Sequence, residues 1–157
     1  MRILGIDPGT GILGFGVIEG SVQAPKMVDA GVIRTKVHQP EPERLLIIYE
    51  SLQEIVTTTK PQVMSVEKLF FARNVTTAMS VSQARGVVLL VAQQHGLPIF
   101  EYTPMQIKLA LTGYGKADKK QVQEMVRLLL KLKEVPKPDD CADALAAALT
   151  HSTSVVL

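Results

Sequence analysis

Apolar and polar positions along the chain divide it into alternating strands and helices. Residues 1–7 end the apolar run Ile3-Leu4-Gly5-Ile6 on Asp7, the pattern of a short buried strand. Residues 12–19 and 27–35 predict two further strands with Gly, Ser and Pro turn material between them, giving a three-stranded antiparallel meander. Pro40-Glu41-Pro42-Glu43 opens a helix whose apolar stripe is Leu45, Ile48, Leu52, Ile55 and Val56, with Pro61 beyond its end. Gln62 to Glu67 predicts a fourth strand, and the crossover helix makes it parallel to the first.

A second helix is expected from about Thr76 to Gln94, stopped at Gly96, and a fifth strand from Pro98 to Tyr102. The remainder predicts helices: a short one near Met105–Leu111, one carrying Val122, Met125, Val126, Leu129 and Leu130, and an alanine-rich one from Asp139. Pro136 and Pro138 separate the last two. The expected fold is α/β: a five-stranded mixed sheet, three antiparallel strands then two parallel, with helices packed on it. No repeat, low-complexity tract or linker divides the chain, so one domain over 1–157 is expected.

Composition narrows this picture only slightly. A 46% hydrophobic and 20% charged chain of 157 residues is ordinary for a globular protein with a real core. No run approaches the roughly 18 apolar residues of a membrane span, and an acid at position 7 comes too early for a signal peptide. Cys141 is the single cysteine, which excludes an internal disulfide and a multi-cysteine zinc site. An intracellular, cytoplasmic protein is the expectation.

Charge is more informative by segment than in total. The net charge is +2, yet residues 108–137 carry eight basic residues, Lys108, Lys116, Lys119, Lys120, Arg127, Lys131, Lys133 and Lys137, against three acids. Asp139, Asp140 and Asp143 follow at once. A basic stretch beside an acid cluster suits a polyanion ligand held near cations; a solvated helix face is the alternative.

Gly9-Thr10-Gly11-Ile12-Leu13-Gly14 matches the dinucleotide fingerprint G-x-G-x-x-G, but in the wrong context. The fingerprint needs a helix after the glycines, and here an alternating strand follows. Asp7 stands at the carboxyl end of a central strand, where open sheets place their sites, although Asp before Pro-Gly is also a turn signal. Glu67 ends the neighbouring parallel strand, so the two acids fall within reach of one cation. Asp140 and Asp143, three apart, share a helix face near its N-terminus, where the helix dipole favours carboxylates and Asp139 is a possible N-cap. Asp143 lies among alanines in a helix able to approach the sheet closely, and a carboxylate there needs a partner. Four acids without a histidine or thiol cluster point to Mg²⁺, with Mn²⁺ as the alternative. Two such ions suit in-line phosphodiester hydrolysis. Cys141 and the histidines His38, His95 and His151 have simpler packing, loop or helix-end explanations.

Three blocks, "GIDPG", "VEKLFFARNVTTAMSVSQARGV" and "DDCADALAAALTH", resemble the RuvC family of bacterial Holliday-junction resolvases, and the likeness runs over nearly the whole chain. The resemblance implies a ribonuclease H-like fold, a homodimer and two magnesium-dependent active sites that place paired nicks in four-way junction DNA, leaving ligatable 5′-phosphate ends. It implies catalytic, metal-binding acids at Asp7, Glu67, Asp140 and Asp143; Asp139 competes with Asp140, and the family spacing of three favours Asp140. It further implies DNA contacts by Phe70, with Phe71 a second candidate, by Arg73 and Asn74, and by Lys108 and Lys119, a patch that Lys116 and Lys120 extend. The helix with Gln83, Ala84, Arg85 and Gly86 resembles the family's dimer interface. A branch-migration helicase complex (RuvAB-like) is the implied partner in recombination and DNA repair. Rival readings are a ribonuclease H-like nuclease for another nucleic acid, a junction-binding module without catalysis, and an actin/sugar-kinase-like ATPase, for which the chain lacks a second domain and a second phosphate loop.

Overall fold

A computed structural model describes residues 1–68 and 75–155. In chain order the elements are β1 (Arg2–Asp7), β2 (Ile12–Ser21), β3 (Ala24–Arg34), α1 (Glu41–Thr59), β4 (Val63–Glu67), α2 (Val75–Gln94), β5 (Ile99–Tyr102), α3 (Pro104–Thr112), α4 (Lys119–Leu129) and α5 (Asp139–Ser154). One sheet holds all five strands in the order β3-β2-β1-β4-β5. β1, β2 and β3 pair antiparallel, while β4 lies parallel to both β1 and β5, as the sequence pattern predicts.

The hairpin between β2 and β3 departs from expectation. Residues 20–26 read as turn material, yet both strands run through them, with Gly20 paired to Pro25 and Ser21 to Ala24. The turn shrinks to Val22 and Gln23. β3 is an edge strand, so Pro25 needs no ladder donor on its outer side, and Gly20 supplies the positive φ of 121° that the end of the ladder requires.

Strand alternation splits the core in two. Leu4, Ile6, Met64 and Val66 face α1 and α2, packing against Ile48, Leu52, Val88 and Val91. Ile3, Ile18 and Val63 face the opposite way, into a core with Leu145, Leu149, Ile107 and Val126. Helix α5 runs through that second core and is buried all round from Ala144 to Ser152, as expected of a helix apolar on every side. It sits closely because β1 and β2 give it glycine to rest on. A Cβ at Gly5 would overlap the Ala144 carbonyl oxygen, and one at Gly14 would overlap that of Asp140. Ser65 donates a 2.6 Å hydrogen bond to the Ala147 carbonyl and fixes the helix to β4.

Candidate active site

Period-two alternation decides where the strand acids point. On β1, Ile3 and Gly5 face α5, so Asp7 does as well; on β4, Val63 and Ser65 face α5, so Glu67 follows. Asp7 and Glu67 lie one step beyond the last paired positions, Ile6 and Val66, at the carboxyl ends of adjacent parallel strands. Gly14 pairs with Asp7 across the β1–β2 ladder and lies beneath the backbone of Asp140. Asp143 follows one turn later. Sheet and helix thus bring all four acids together, each half-buried, whereas Asp139 is exposed.

Their electrostatics show the crowding. Burial, and then the charges of Glu67, Asp143 and Asp140, push the Asp7 carboxyl up to about 9. Burial and the charge of Asp143 raise Glu67, against a lowering pull from Lys119. Burial likewise raises Asp143, again opposed by Lys119. Side-chain hydrogen bonding links Asp7 to Asp140 and to Glu67, the single proton of the Asp7 carboxyl serving one neighbour or the other. Lys119 Nζ lies 3.6 Å from Asp143 Oδ2 and 3.2 Å from Asp139 Oδ2. Its place is set by the capping box of α4, in which Asp118 accepts from the Gln121 amide at 2.8 Å and Gln121 accepts from that of Asp118.

Among the described residues, no three His, Cys, Asp or Glu side chains are already arranged to hold a metal ion. Protonation of Asp7 and the contacts of Lys119 satisfy the carboxylates instead. The donor set nonetheless fits a hard divalent cation: every candidate ligand is a carboxylate oxygen, and raised carboxyl pKa values mark a cluster short of positive charge.

The cleft beside the acids is lined by Glu67, Asp143, Lys108, Lys119, Pro104 and Ile107, among others, and has a volume of about 250 Å³. That is below the range that encloses a whole small-molecule ligand, so the cleft suits one group of an extended polymer better than a nucleotide. Thr10, in the loop after β1, is tied to its neighbours through its side chain and carbonyl. Thr10 Oγ lies 2.5 Å from Ser80 Oγ, Ser80 donates to Glu41 at 3.1 Å, and Thr35 donates to the Thr10 carbonyl at 2.6 Å. Sequence reading missed this clamp, because its members are scattered over 70 residues.

A family model, crossover junction endodeoxyribonuclease RuvC, matches residues 3–151. Crossover junction endodeoxyribonuclease RuvC of Brevibacillus brevis is 58% identical over 97% of this chain and 92% of its own length; that of Desulfitobacterium hafniense is 57% identical over 100% and 95%. The chain belongs to the RuvC family. A solved structure of Thermus thermophilus RuvC in complex with Holliday junction substrate superposes with a TM-score of 0.95 at 40% identity, covering 99% of this chain and 94% of that one. The yeast mitochondrial Holliday junction resolvase Ydc2, at a TM-score of 0.69 and 14% identity over 96% and 77%, shares the fold.

In this RuvC-family chain the remaining candidate residues fall in three groups. Lys108 and Lys119 line the cleft, and Lys116 and Lys120 are exposed nearby in sequence. Gln83 and Gly86 are exposed on α2, but Arg85 turns to β5 and pairs with Glu101 inside the chain. Phe70, Phe71, Arg73 and Asn74 lie outside the described residues. His151 is more than a helix-end residue: it is buried, with Nδ1 2.8 Å from the Tyr102 hydroxyl and its ring against Phe100. Cys141 packs in the α5-side core. Among the described residues, no helix is long and apolar enough to cross a membrane.

Proposed function

We propose that this chain resolves Holliday junctions, cutting phosphodiester bonds at a centre formed by Asp7, Glu67, Asp140 and Asp143. The observation that carries this is the convergence of four carboxylates from β1, β4 and α5 beside a lysine-lined cleft. Divalent ions bound there would supply polarisation of the attacking water and charge neutralisation at the leaving oxygen. The chain's own residues do the rest. Asp7 and Glu67, rooted in adjacent strands, and Asp140 and Asp143, on one helix face, would hold the ions in place of the Asp7 proton and the Lys119 contact. Lys108 and Lys119 place the phosphate, with Lys116 and Lys120 extending a salt-sensitive backbone contact. Phe70, Phe71, Arg73 and Asn74 come three to seven residues after Glu67 in the chain; the two aromatic side chains suit stacking on unpaired bases, and Arg73 and Asn74 are assigned as further DNA contacts. The enzyme acts on DNA in the cytoplasm, beside a branch-migration helicase complex.

A synthetic four-way junction incubated with the protein in Mg²⁺ or EDTA tests the assignment. Paired, symmetric nicks in Mg²⁺ alone are expected. Binding without nicking would leave only a junction-binding module, and preference for another nucleic acid would favour the related nuclease.

We also propose a homodimer built on α2. Met79, Gln83, Gly86 and Leu90 recur at helical spacing on its exposed face, with Met79 62% and Leu90 51% exposed. A Cβ at Gly86 would meet nothing within 4 Å among the described residues, so none of their contacts asks for glycine there. Glycine inside a helix costs about 1 kcal/mol relative to alanine, which a close helix–helix approach would justify. Gly86→Glu is expected to shift the protein from dimer to monomer in sedimentation velocity; an unchanged dimer would move the interface elsewhere.

A further inference from the structure

The pair Asp139-Asp140 begins α5, yet its two members stand in different surroundings. Asp140 is half-buried and hydrogen-bonds toward Asp7, while the Asp139 side chain is 60% exposed and faces α4. There Asp139 Oδ1 accepts a 3.1 Å hydrogen bond from Gln123 Nε2, and Oδ2 lies 3.2 Å from Lys119 Nζ. The same ammonium reaches Asp143 Oδ2 at the longer distance of 3.6 Å. One cation is therefore divided between an acid of the proposed metal centre and an acid outside it.

We propose that Asp139 is a positioning residue that draws Lys119 away from Asp143 and so sets how tightly the acid cluster takes a divalent cation. This rests on the metal centre proposed above. Lys119 is the competitor: a divalent ion on Asp143 must displace the ammonium or share the carboxylate with it, and like charges at that range repel. Asp139, held in place by Gln123, gives the displaced ammonium a partner on the solvent side. Without Asp139 the ammonium is left with acids of the centre alone, Asp143 in contact and Glu67 at longer range, and it remains opposite the incoming ion. Lys119 occupies the first position of a capped helix, which limits how far it can retreat by backbone movement.

A double-mutant cycle on Mn²⁺ binding by the DNA-free protein, read by calorimetry, separates this from direct ligation. Asp139→Asn is expected to weaken Mn²⁺ binding about fivefold, and Lys119→Met to tighten it by about the same factor. In the Lys119→Met background, Asp139→Asn should change affinity less than about twofold, because an exposed carboxylate acting only through water is screened. Lys119→Arg, which keeps the charge, should retain most of the wild-type coupling. Both side chains are more than half exposed, so the variants retain the fold, and the Mn²⁺-induced rise in Tm provides a second measure. Equal weakening by Asp139→Asn in both backgrounds would overturn the proposal and make Asp139 a ligand. Weaker Mn²⁺ binding in Lys119→Met would overturn it by removing the competitor. Absence of saturable Mn²⁺ binding in the wild type would sink the metal centre itself, an outcome distinct from binding without coupling.

Discussion

An Asp7→Asn variant is expected to lose junction cleavage by about a thousandfold or more, a loss of about 4 kcal/mol of transition-state stabilisation, while still binding the junction. Asparagine keeps the shape of the side chain and removes its charge, so it cannot serve as an anionic ligand, and position 7 is not among the residues that line the lysine cleft. Gel-shift and nick-mapping assays on the same junction separate the two effects. Near-normal cleavage would place the metal centre elsewhere.

The same substitution should stabilise the metal-free protein. Asp7 is held protonated up to about pH 9 in the folded chain, against an ordinary value of 3.8. Between those values the folded state binds more protons than the unfolded state, so stability falls as pH rises through the window. At pH 7 the native chain loses up to about 4 kcal/mol on this account. Asparagine has no proton to retain. In EDTA, Asp7→Asn should therefore melt up to about 8 to 16 °C above wild type at pH 7, with the gap closing toward pH 4. Mg²⁺ should raise the wild-type Tm and leave the variant unmoved. Identical melting curves at all pH values would show that Asp7 carries its charge without cost.

Gly5→Ala is expected to be the most disruptive single methyl in the molecule. The added Cβ would overlap the Ala144 carbonyl oxygen and stand 2.9 Å from the Ala148 nitrogen. Both are main-chain atoms of α5, which no rotamer change relieves, so the helix must lift from β1. A cost of about 3 kcal/mol or more follows, with a Tm loss of about 6 to 12 °C. Lifting α5 also carries Asp140 and Asp143 away from Asp7 and Glu67, so cleavage should fall further than stability alone explains. Scanning calorimetry and cleavage at a temperature where the variant remains folded test both parts. A variant that melts like wild type would mean that the sheet flexes to accept the methyl.

The acids were legible in the sequence because their geometry follows from local rules. Asp7 and Glu67 end strands whose alternation fixes their direction, and Asp140 and Asp143 are related by a single helical turn. Asp143 among alanines also announced a helix able to sit close to the sheet. What the alanines face was not legible: Gly5 and Gly14 read only as strand residues, and their place under α5 shows in the pairing of β1 with β2 and the close approach of the helix. The division of labour within Asp139-Asp140 depends on α4 packing against α5, a tertiary contact that leaves no periodic signal. The β2–β3 hairpin was read too short because Gly and Pro are turn residues in general, and whether a proline is harmful depends on which edge of a strand is paired. His151 gave no sign of its partner, since Tyr102 lies 49 residues away.

The glycine seat of α5 has a bearing on how the sequence can drift. Where a helix rests on side chains, each exchange of a leucine for a valine resets its height above the sheet. Here main chain rests on main chain at Gly5 and Gly14, so the spacing of the four carboxylates is gauged by peptide geometry. Substitutions among Ile48, Leu52, Val88 and Val91, on the other side of the sheet, are free to change the melting temperature without moving the acids.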